Sequence, residues 1–302
     1  NLKSIIKNLF LPFNIILSIF KIRSLINRFS PQIIIGTGGY ASAIPIFIGS
    51  KKNPPPHIIL QEQNSFPGLT NRFFSNKAKY VYTAFSEADK FLNSKTVLTG
   101  NPIRSGIELG DYNNALDFYK FKKNRKTIFL FGGSQGSSFL NILLKETIPK
   151  LSNLDIQILW QTGDKEYLKY KNNNTTTIKV VPFIHNMADA YSISDLIICR
   201  SGALTLSEIT ICGKPAILIP LPNSAANHQL KNAQVLEQKG AALVMEEKQI
   251  KNNNFYNIIL NLLKNNKKLK KMSNASKTLG KPNSTKDIVD NIFKVTGCNL
   301  EK

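Results

Sequence analysis

The sequence predicts an α/β protein whose strands run parallel and are shared between two domains. Three observations carry this expectation. Short β-branched runs alternate with amphipathic stretches along the whole chain. Small, glycine-rich turns follow three of the strand-like runs just where a helix begins. The chain of 302 residues has room for two ordinary domains, each able to bury its own core.

The first stretch, residues 1–29, is apolar in the middle and carries Lys3, Lys7, Lys21, Arg23 and Arg28. Its uninterrupted apolar part falls short of the ~20 residues a membrane-spanning helix needs, and Pro12 and Asn14 break it. A signal peptide shares the basic-then-apolar order, but no small-residue cleavage site follows, and the segment runs straight into "PQIIIG". Basic residues flanking Leu, Ile and Phe fit a helix lying in a membrane interface. The same side chains packed on a domain core fit equally well. The first residue is Asn rather than Met, so the chain is expected to lack its true beginning.

Candidate strands then follow in order: 33–36, 57–60, 80–84, 96–100, 127–131, 156–162, 178–183, 196–199, 216–220 and 241–245. Each is a short run rich in Ile, Val, Leu, Phe or Tyr, and helical stretches such as "SSFLNILLKETIPKL" and "TLSEITICG" separate most of them. A polar, basic interval near 102–125 suggests a boundary. The expected division is an N-terminal domain over 1–105, a linker over 106–125 and a C-terminal domain over 126–302. After a break at Pro282 a final helix is expected, returning toward the N-terminal domain.

Composition narrows the function classes. Apolar residues make up 42% and charged residues 20%, which excludes a disordered chain. The net charge of +21 favours anionic partners: nucleic acid, anionic lipid or a phosphorylated substrate. The aromatic residues are not interleaved with basic ones as a nucleic-acid stacking platform requires, so no nucleic-acid partner is expected. Cys199, Cys212 and Cys298 form no C-x-x-C pair, and with His57, His185 and His228 they offer no zinc-ligand spacing. Reduced thiols, and neither metal nor cofactor, are expected.

In parallel sheets ligands collect outside the carboxyl ends of strands, where helix N-termini converge. "IIIGTGGYASAIP" places Gly36, Gly38 and Gly39 there, "LFGGSQGSSFLN" surrounds Ser134 with Gly132, Gly133 and Gly136, and "LIICRSGALTLSE" makes a turn of Ser201, Gly202 and Ala203. Three such junctions indicate a diphosphate-bearing ligand. In the third, Glu208 stands in the first turns of the helix, suited either to the helix dipole or to two ribose hydroxyls.

"GGSQG" also fits the G-x-S-x-G elbow of α/β-hydrolases, with Asp195 and His228 following in the matching order. Asp195, however, sits before a strand rather than beyond its carboxyl end, and nothing brings His228 to the serine. Ser134 as a phosphate ligand is the better account, and a serine hydrolase is the alternative.

The ordered set "GTGGYAS", "QEQNSFPGLTNR", "LTGNPIR", "GGSQGSSFLN", "FIHNMADAYSISDLIICRSGALTLSE", "GKPAILIPLP" and "NHQLKNAQVLEQKGAA" resembles the MurG family, from about residue 5 to 290. The resemblance implies a GT-B fold, two Rossmann-like domains facing across a cleft, and metal-independent, inverting transfer. N-acetylglucosamine would pass from UDP to the C4 hydroxyl of the muramoyl sugar of an undecaprenyl-diphosphate-linked peptide acceptor, forming lipid II for peptidoglycan. Another GT-B transferase using a UDP-sugar on a lipid acceptor is the nearest alternative.

By that resemblance Ser134 contacts the donor diphosphate and Arg104 lies at the nucleotide-sugar site. Ile184 supplies backbone contacts to uracil, with Ala203, Leu204, Thr205, Leu206, Ser207 and Glu208 completing the pocket and Glu208 on the ribose. Gln229 and Asn64 resemble sugar-binding positions, Gly38, Gly39 and Tyr40 an acceptor-diphosphate loop, and Glu62 a catalytic carboxylate. Two departures stand out. The family's first glycine loop, with its candidate His base, precedes anything in this sequence, so the N-terminal domain is expected to be truncated. Gln61 stands where the family usually has His. The resemblance also implies a peripheral enzyme on the cytoplasmic face of the bacterial plasma membrane, resting on its anionic surface through Leu9, Phe10, Phe13, Ile16 and Phe20.

Overall fold

The structure is a computed structural model and describes residues 11–297. It divides into two compact units. One comprises residues 1–101 and 283–302, the other residues 102–282.

The first unit is built on a four-stranded parallel sheet in the order β1 (Ile33–Gly36), β2 (His57–Glu62), β3 (Tyr80–Thr83) and β4 (Thr96–Leu98). Consecutive strands are neighbours because each crossover is a short helical segment, α2 (Gly39–Gly49) after β1 and α3 (Leu69–Phe74) after β2; α1 (Leu11–Phe29) precedes the sheet. Side chains alternate across the sheet. Ile58, Leu60 and Val81 join Ile46 of α2 and Phe74 of α3 on one face. Ile59 and Tyr82 meet Ile292 of the C-terminal helix, Ser284–Thr296, on the other. That helix is anchored by Tyr82, whose hydroxyl bonds Asn291 at 2.8 Å, and by Ser284, whose hydroxyl donates to the Asn101 carbonyl at 2.5 Å.

Along α1, Ile16 and Phe20 are 51% and 65% exposed, in company with Lys21, Arg23 and Arg28. Leu9 and Phe10 lie outside the described residues, as does the side chain of Phe13. Among the described residues no helix is long and apolar enough to cross a membrane.

The second unit opens with α4 (Tyr112–Tyr119), whose Asp111 cap accepts from the Asn114 N–H at 3.0 Å. The segment taken in the sequence as linker thus holds a helix. Six parallel strands follow: β5 (Lys126–Phe131), β6 (Ile156–Gln161), β7 (Ile178–Val181), β8 (Leu196–Cys199), β9 (Ala216–Leu218) and β10 (Ala242–Val244), in the order β10-β9-β8-β5-β6-β7. Five helices punctuate them: α5 (Ser138–Leu151), α6 (Asp164–Tyr170), α7 (Met187–Ser192), α8 (Ala203–Ile211) and α9 (His228–Gln238). Two more, α10 (Asn252–Lys264) and α11 (Asn266–Leu279), follow β10.

These strands read as almost unbroken apolar runs because helices cover both faces. On one face Ile128, Leu130, Ile158, Trp160, Leu196, Ile198 and Ile217 pack against α5, α10 and α11. On the other Phe129 and Phe131 stack at 4.5 Å and meet the ring of Tyr191 from α7 edge-on. All ten strands anticipated from the sequence are present, with ends shifted by at most two residues.

Candidate functional site

The order of the second sheet reverses between β5 and β8. From β5 the chain builds outward through β6 and β7, then returns to β8 and builds the other way through β9 and β10. Loops leaving the carboxyl ends of β5 and β8 therefore diverge to opposite faces and leave a crevice between them, the position at which doubly wound sheets bind nucleotides. Two of the three turns singled out in the sequence, Gly132–Ser137 and Arg200–Gly202, are these loops.

The β5 turn demands its glycines. A Cβ on Gly132 would lie 2.4 Å from the Ser137 nitrogen, and one on Gly136 would lie 2.2 Å from the Thr162 carbonyl oxygen, at a φ of +75°. The turn is thereby compressed onto the loop after β6. Ser134 stands exposed at its tip, and the N-terminus of α5 opens beside it, capped by Ser137. Amides at such a terminus attract an anion.

Arg200 ties the two loops together. It is buried, 8% exposed, and its guanidinium donates to the Ser137 hydroxyl at 2.9 Å and to the Ile219 and Pro220 carbonyls at 3.1 Å each. A 2.5 Å ion pair with Glu247 balances its charge. A buried cation with this many partners acts as a rigid brace rather than a mobile ligand.

In α8, Leu206 is buried and packs inward, Leu204 is exposed, and Ala203, Thr205, Ser207 and Glu208 are half-buried. The Tyr191 hydroxyl donates to Glu208 Oε2 at 2.9 Å. Burial pushes the Glu208 carboxyl above its ordinary value, opposed by the Tyr191 hydrogen bond and the nearby Arg104 charge. Arg104 is itself exposed. Ile184 is buried, and its N–H donates to Gln161 Oε1 at 2.9 Å. Gln229, in α9, accepts from the Leu221 N–H through its side-chain oxygen at 3.0 Å, and its backbone carbonyl accepts from the Ser201 hydroxyl at 2.8 Å. Ser134, Ile184, the α8 residues and Gln229 thus all stand at or just beyond the carboxyl ends of strands in this one sheet.

A Ser134-centred triad does not assemble. Asp195 accepts from the Thr127 N–H at 2.7 Å, at the amino end of β5. Ser134 lies beyond the carboxyl end, so at 3.3 Å per residue the sheet alone separates them by roughly 13 Å. The acid of such a triad must instead touch the histidine beside the serine.

In the first unit the loops after β1 and β2 are also joined. Gln63 donates to the Thr37 carbonyl at 2.9 Å and Thr70 to the Gly39 carbonyl at 2.9 Å, while Gly38 caps α2 at a φ of +83°. Tyr40 is fully presented to solvent beside them. Glu62, expected as a catalytic carboxylate, closes β2. It is 1% exposed. Its Oε1 accepts from the Asn64 N–H at 2.9 Å and from Asn64 Nδ2 at 3.2 Å; its Oε2 accepts from the Gly68 N–H at 3.0 Å and from Asn71 Nδ2 at 2.7 Å. Both oxygens accept from the backbone and side chains of the loop that follows β2, so the carboxylate holds that loop. Asn64 is held by it.

Three residues of the second unit escaped the sequence reading: Gln161, Tyr191 and Arg200. The faint signal was a polar residue ending an apolar strand, as in "ILWQ" and "LIICR". Among the described residues no group of three or more His, Cys, Asp and Glu is arranged to hold a metal ion.

Comparison with known proteins agrees with this geometry. The model of the glycosyltransferase family 28 C-terminal domain matches residues 127–292, and that of the family 28 N-terminal domain matches residues 1–83. A UDP-N-acetylglucosamine–N-acetylmuramyl-(pentapeptide) pyrophosphoryl-undecaprenol N-acetylglucosamine transferase of Flavobacterium psychrophilum is 37% identical over 297 residues, covering 97% of this chain and 80% of the relative. The chain belongs to the MurG family. The like-named transferase of Listeria monocytogenes serotype 4a is 36% identical, covering 91% of this chain and 77% of that one. The crystal structure of Acinetobacter baumannii MurG superposes with a TM-score of 0.79 at 29% identity, over 94% of this chain and 79% of that one. A Staphylococcus aureus MnaA–UDP co-structure shares the fold alone, with a TM-score of 0.71 at 16% identity, over 94% of this chain and 81% of that one. The MurG-family chain accordingly has the GT-B pair of α/β units.

Proposed function

We infer that this protein transfers N-acetylglucosamine from UDP-N-acetylglucosamine to the C4 hydroxyl of the muramoyl sugar of an undecaprenyl-diphosphate-linked peptide, with inversion at the sugar carbon, yielding lipid II. The observation that carries the reading is the crevice at the reversal point of the second sheet. There a glycine-compressed serine turn, a capped helix N-terminus and a carboxylate oriented by Tyr191 stand together, the set a nucleotide diphosphate requires.

In this reading the C4 hydroxyl oxygen attacks the donor's anomeric carbon, its proton passes to solvent water, the C–O bond to UDP breaks, and that bond's electron pair leaves on the diphosphate. Ser134 and the amides opening α5 hold that diphosphate as charge develops on it, aided by Arg104. Thr205 and the amides opening α8 add to this. Glu208 accepts from the ribose hydroxyls, fixed for the task by Tyr191, and the Ile184 carbonyl meets the uracil. Leu204 shapes the pocket wall, Leu206 anchors the helix beneath it from the core, Ala203 and Ser207 line it, and Gln229 and Asn64 contact sugars. Gly38, Gly39 and Tyr40 form the loop that takes the acceptor's own diphosphate, and Glu62 shapes the loop beside it. Ile16 and Phe20, set among basic residues, seat the first unit on an anionic membrane surface, where such an acceptor is found; a peripheral position on the cytoplasmic face of the plasma membrane follows from that reading.

The test is a calorimetric titration with UDP-N-acetylglucosamine, followed by transfer of labelled sugar to a lipid-diphosphate muramoyl acceptor. At ligand ~100 times Kd the fold should gain about 2.7 kcal/mol. No heat of binding, or labelling of Ser134 by a fluorophosphonate, would overturn the assignment in favour of the hydrolase.

A further inference from the structure

One buried side chain joins two parts of the crevice that the reading above treats separately. Gln161 is the last residue of β6 and is 3% exposed. β6 lies between β5 and β7, so its carboxyl end is flanked by the serine turn on one side and the Ile184 loop on the other. Its Nε2 donates to the Gly133 carbonyl at 3.1 Å, and its Oε1 accepts from the Ile184 N–H at 2.9 Å. Each end of the carboxamide is thus committed to a different loop, one donating and one accepting.

We propose that Gln161 is a positioning residue for the donor nucleotide, setting the distance between the turn that grips the diphosphate and the loop that meets the base. This rests on the assignment of Ser134 and Ile184 to the two ends of one nucleotide. Within the serine turn, Gly133 has a φ of +92° and no neighbour within 4 Å of where a Cβ would lie, and its carbonyl is shared between the Gly136 N–H at 3.1 Å and the Gln161 amide. The Gln161 carboxamide is a side chain that bonds both this turn and the Ile184 loop directly. A nucleotide that spans both loops needs that spacing in advance, because ordering them on binding costs affinity.

The carboxamide chemistry makes the idea testable through pH. In Gln161→Glu the side chain keeps its shape. When ionised it offers only acceptors and confronts the Gly133 carbonyl with like polarity; when protonated it restores one donor and one acceptor. Burial favours the protonated form. UDP affinity of the Glu variant, taken as a ratio to wild type, should therefore approach one at acid pH and fall as pH rises. Gln161→Leu, lacking both bonds, should weaken UDP about tenfold at every pH and raise KM for UDP-N-acetylglucosamine while leaving kcat within about twofold.

Calorimetry with UDP across pH 5.5 to 8, on the full chain and both variants, supplies the readout. A pH-dependent ratio for the Glu variant with a KM-dominated loss for the Leu variant supports the proposal. Variants that bind UDP as wild type does, or a Glu variant impaired equally at all pH values, overturn it while leaving the proposed function standing. A wild-type chain that does not bind UDP overturns both.

Discussion

The four hydrogen bonds at Glu62 have a quantitative consequence. If the carboxylate organises its loop, replacing it should cost stability before it costs chemistry. In Glu62→Gln the Oε1 side still accepts from Asn64, but the new amide faces the Gly68 N–H and Asn71 Nδ2, donor against donor. Hydrogen bonds to a charged acceptor contribute about 1.5–3 kcal/mol each, and Asn71 retains a second bond, to the Gln61 carbonyl at 3.1 Å. The loss is then about 3 kcal/mol, with Glu62→Ala, which removes all four bonds, at about 4 kcal/mol or more. For a unit of this size that lowers the melting temperature by roughly 10 °C. Differential scanning calorimetry should show an early transition in both variants, restored partly by ligand. A catalytic base predicts the reverse: an unchanged melting profile with kcat reduced at least about a thousandfold. That pair of results would refute the loop-organiser argument.

Further predictions follow from the second unit. Glu208 titrates above its ordinary value of 4.5 because it is buried, so its charge destabilises the fold as pH rises past that value. Glu208→Gln, whose side-chain oxygen can still accept from Tyr191, should raise the melting temperature at neutral pH, lose that advantage at acid pH and bind UDP at least tenfold more weakly; an unchanged melting temperature at every pH refutes it. Gly136→Ala places a methyl 2.2 Å from the Thr162 carbonyl at a positive φ, and should cost about 2–4 kcal/mol in chemical denaturation; a loss under about 1 kcal/mol would contradict the geometry. Burial holds the Cys199 thiol far above its ordinary value and pushes Cys212 up to about 12, so neither should react with iodoacetamide in the native protein at pH 8, as read by peptide mass spectrometry.

Strand positions were legible because parallel strands buried on both faces must be continuous apolar runs, and "TIFLF", "IQILW" and "LIIC" admit no other use. The glycine turns were legible for a similarly local reason: the positive φ at Gly133 and Gly136 is a conformation that glycine adopts at least cost. The surroundings of Glu62 were not legible, because the fate of a carboxylate depends on which donors surround it. One of those donors, Asn71, lies nine residues away on the helix after the strand, α3. Sequence alone shows a charged residue beside a glycine-bearing loop and leaves base and brace indistinguishable.

Local chemistry, in short, was written in the chain itself: which segments become strands, where the backbone turns sharply, where helix N-termini await an anion. Strand order was not, since β5 pairs with both β6 and β8 and nothing near residue 131 announces it. The reversal that creates the crevice exists only once the sheet has formed. Arg200 finds Ser137 across 63 residues, and Gln161 finds Gly133 across 28. Such partnerships are decided by the packing of whole strands, because a side chain's hydrogen bonds depend on what folding carries to within about 3 Å of it.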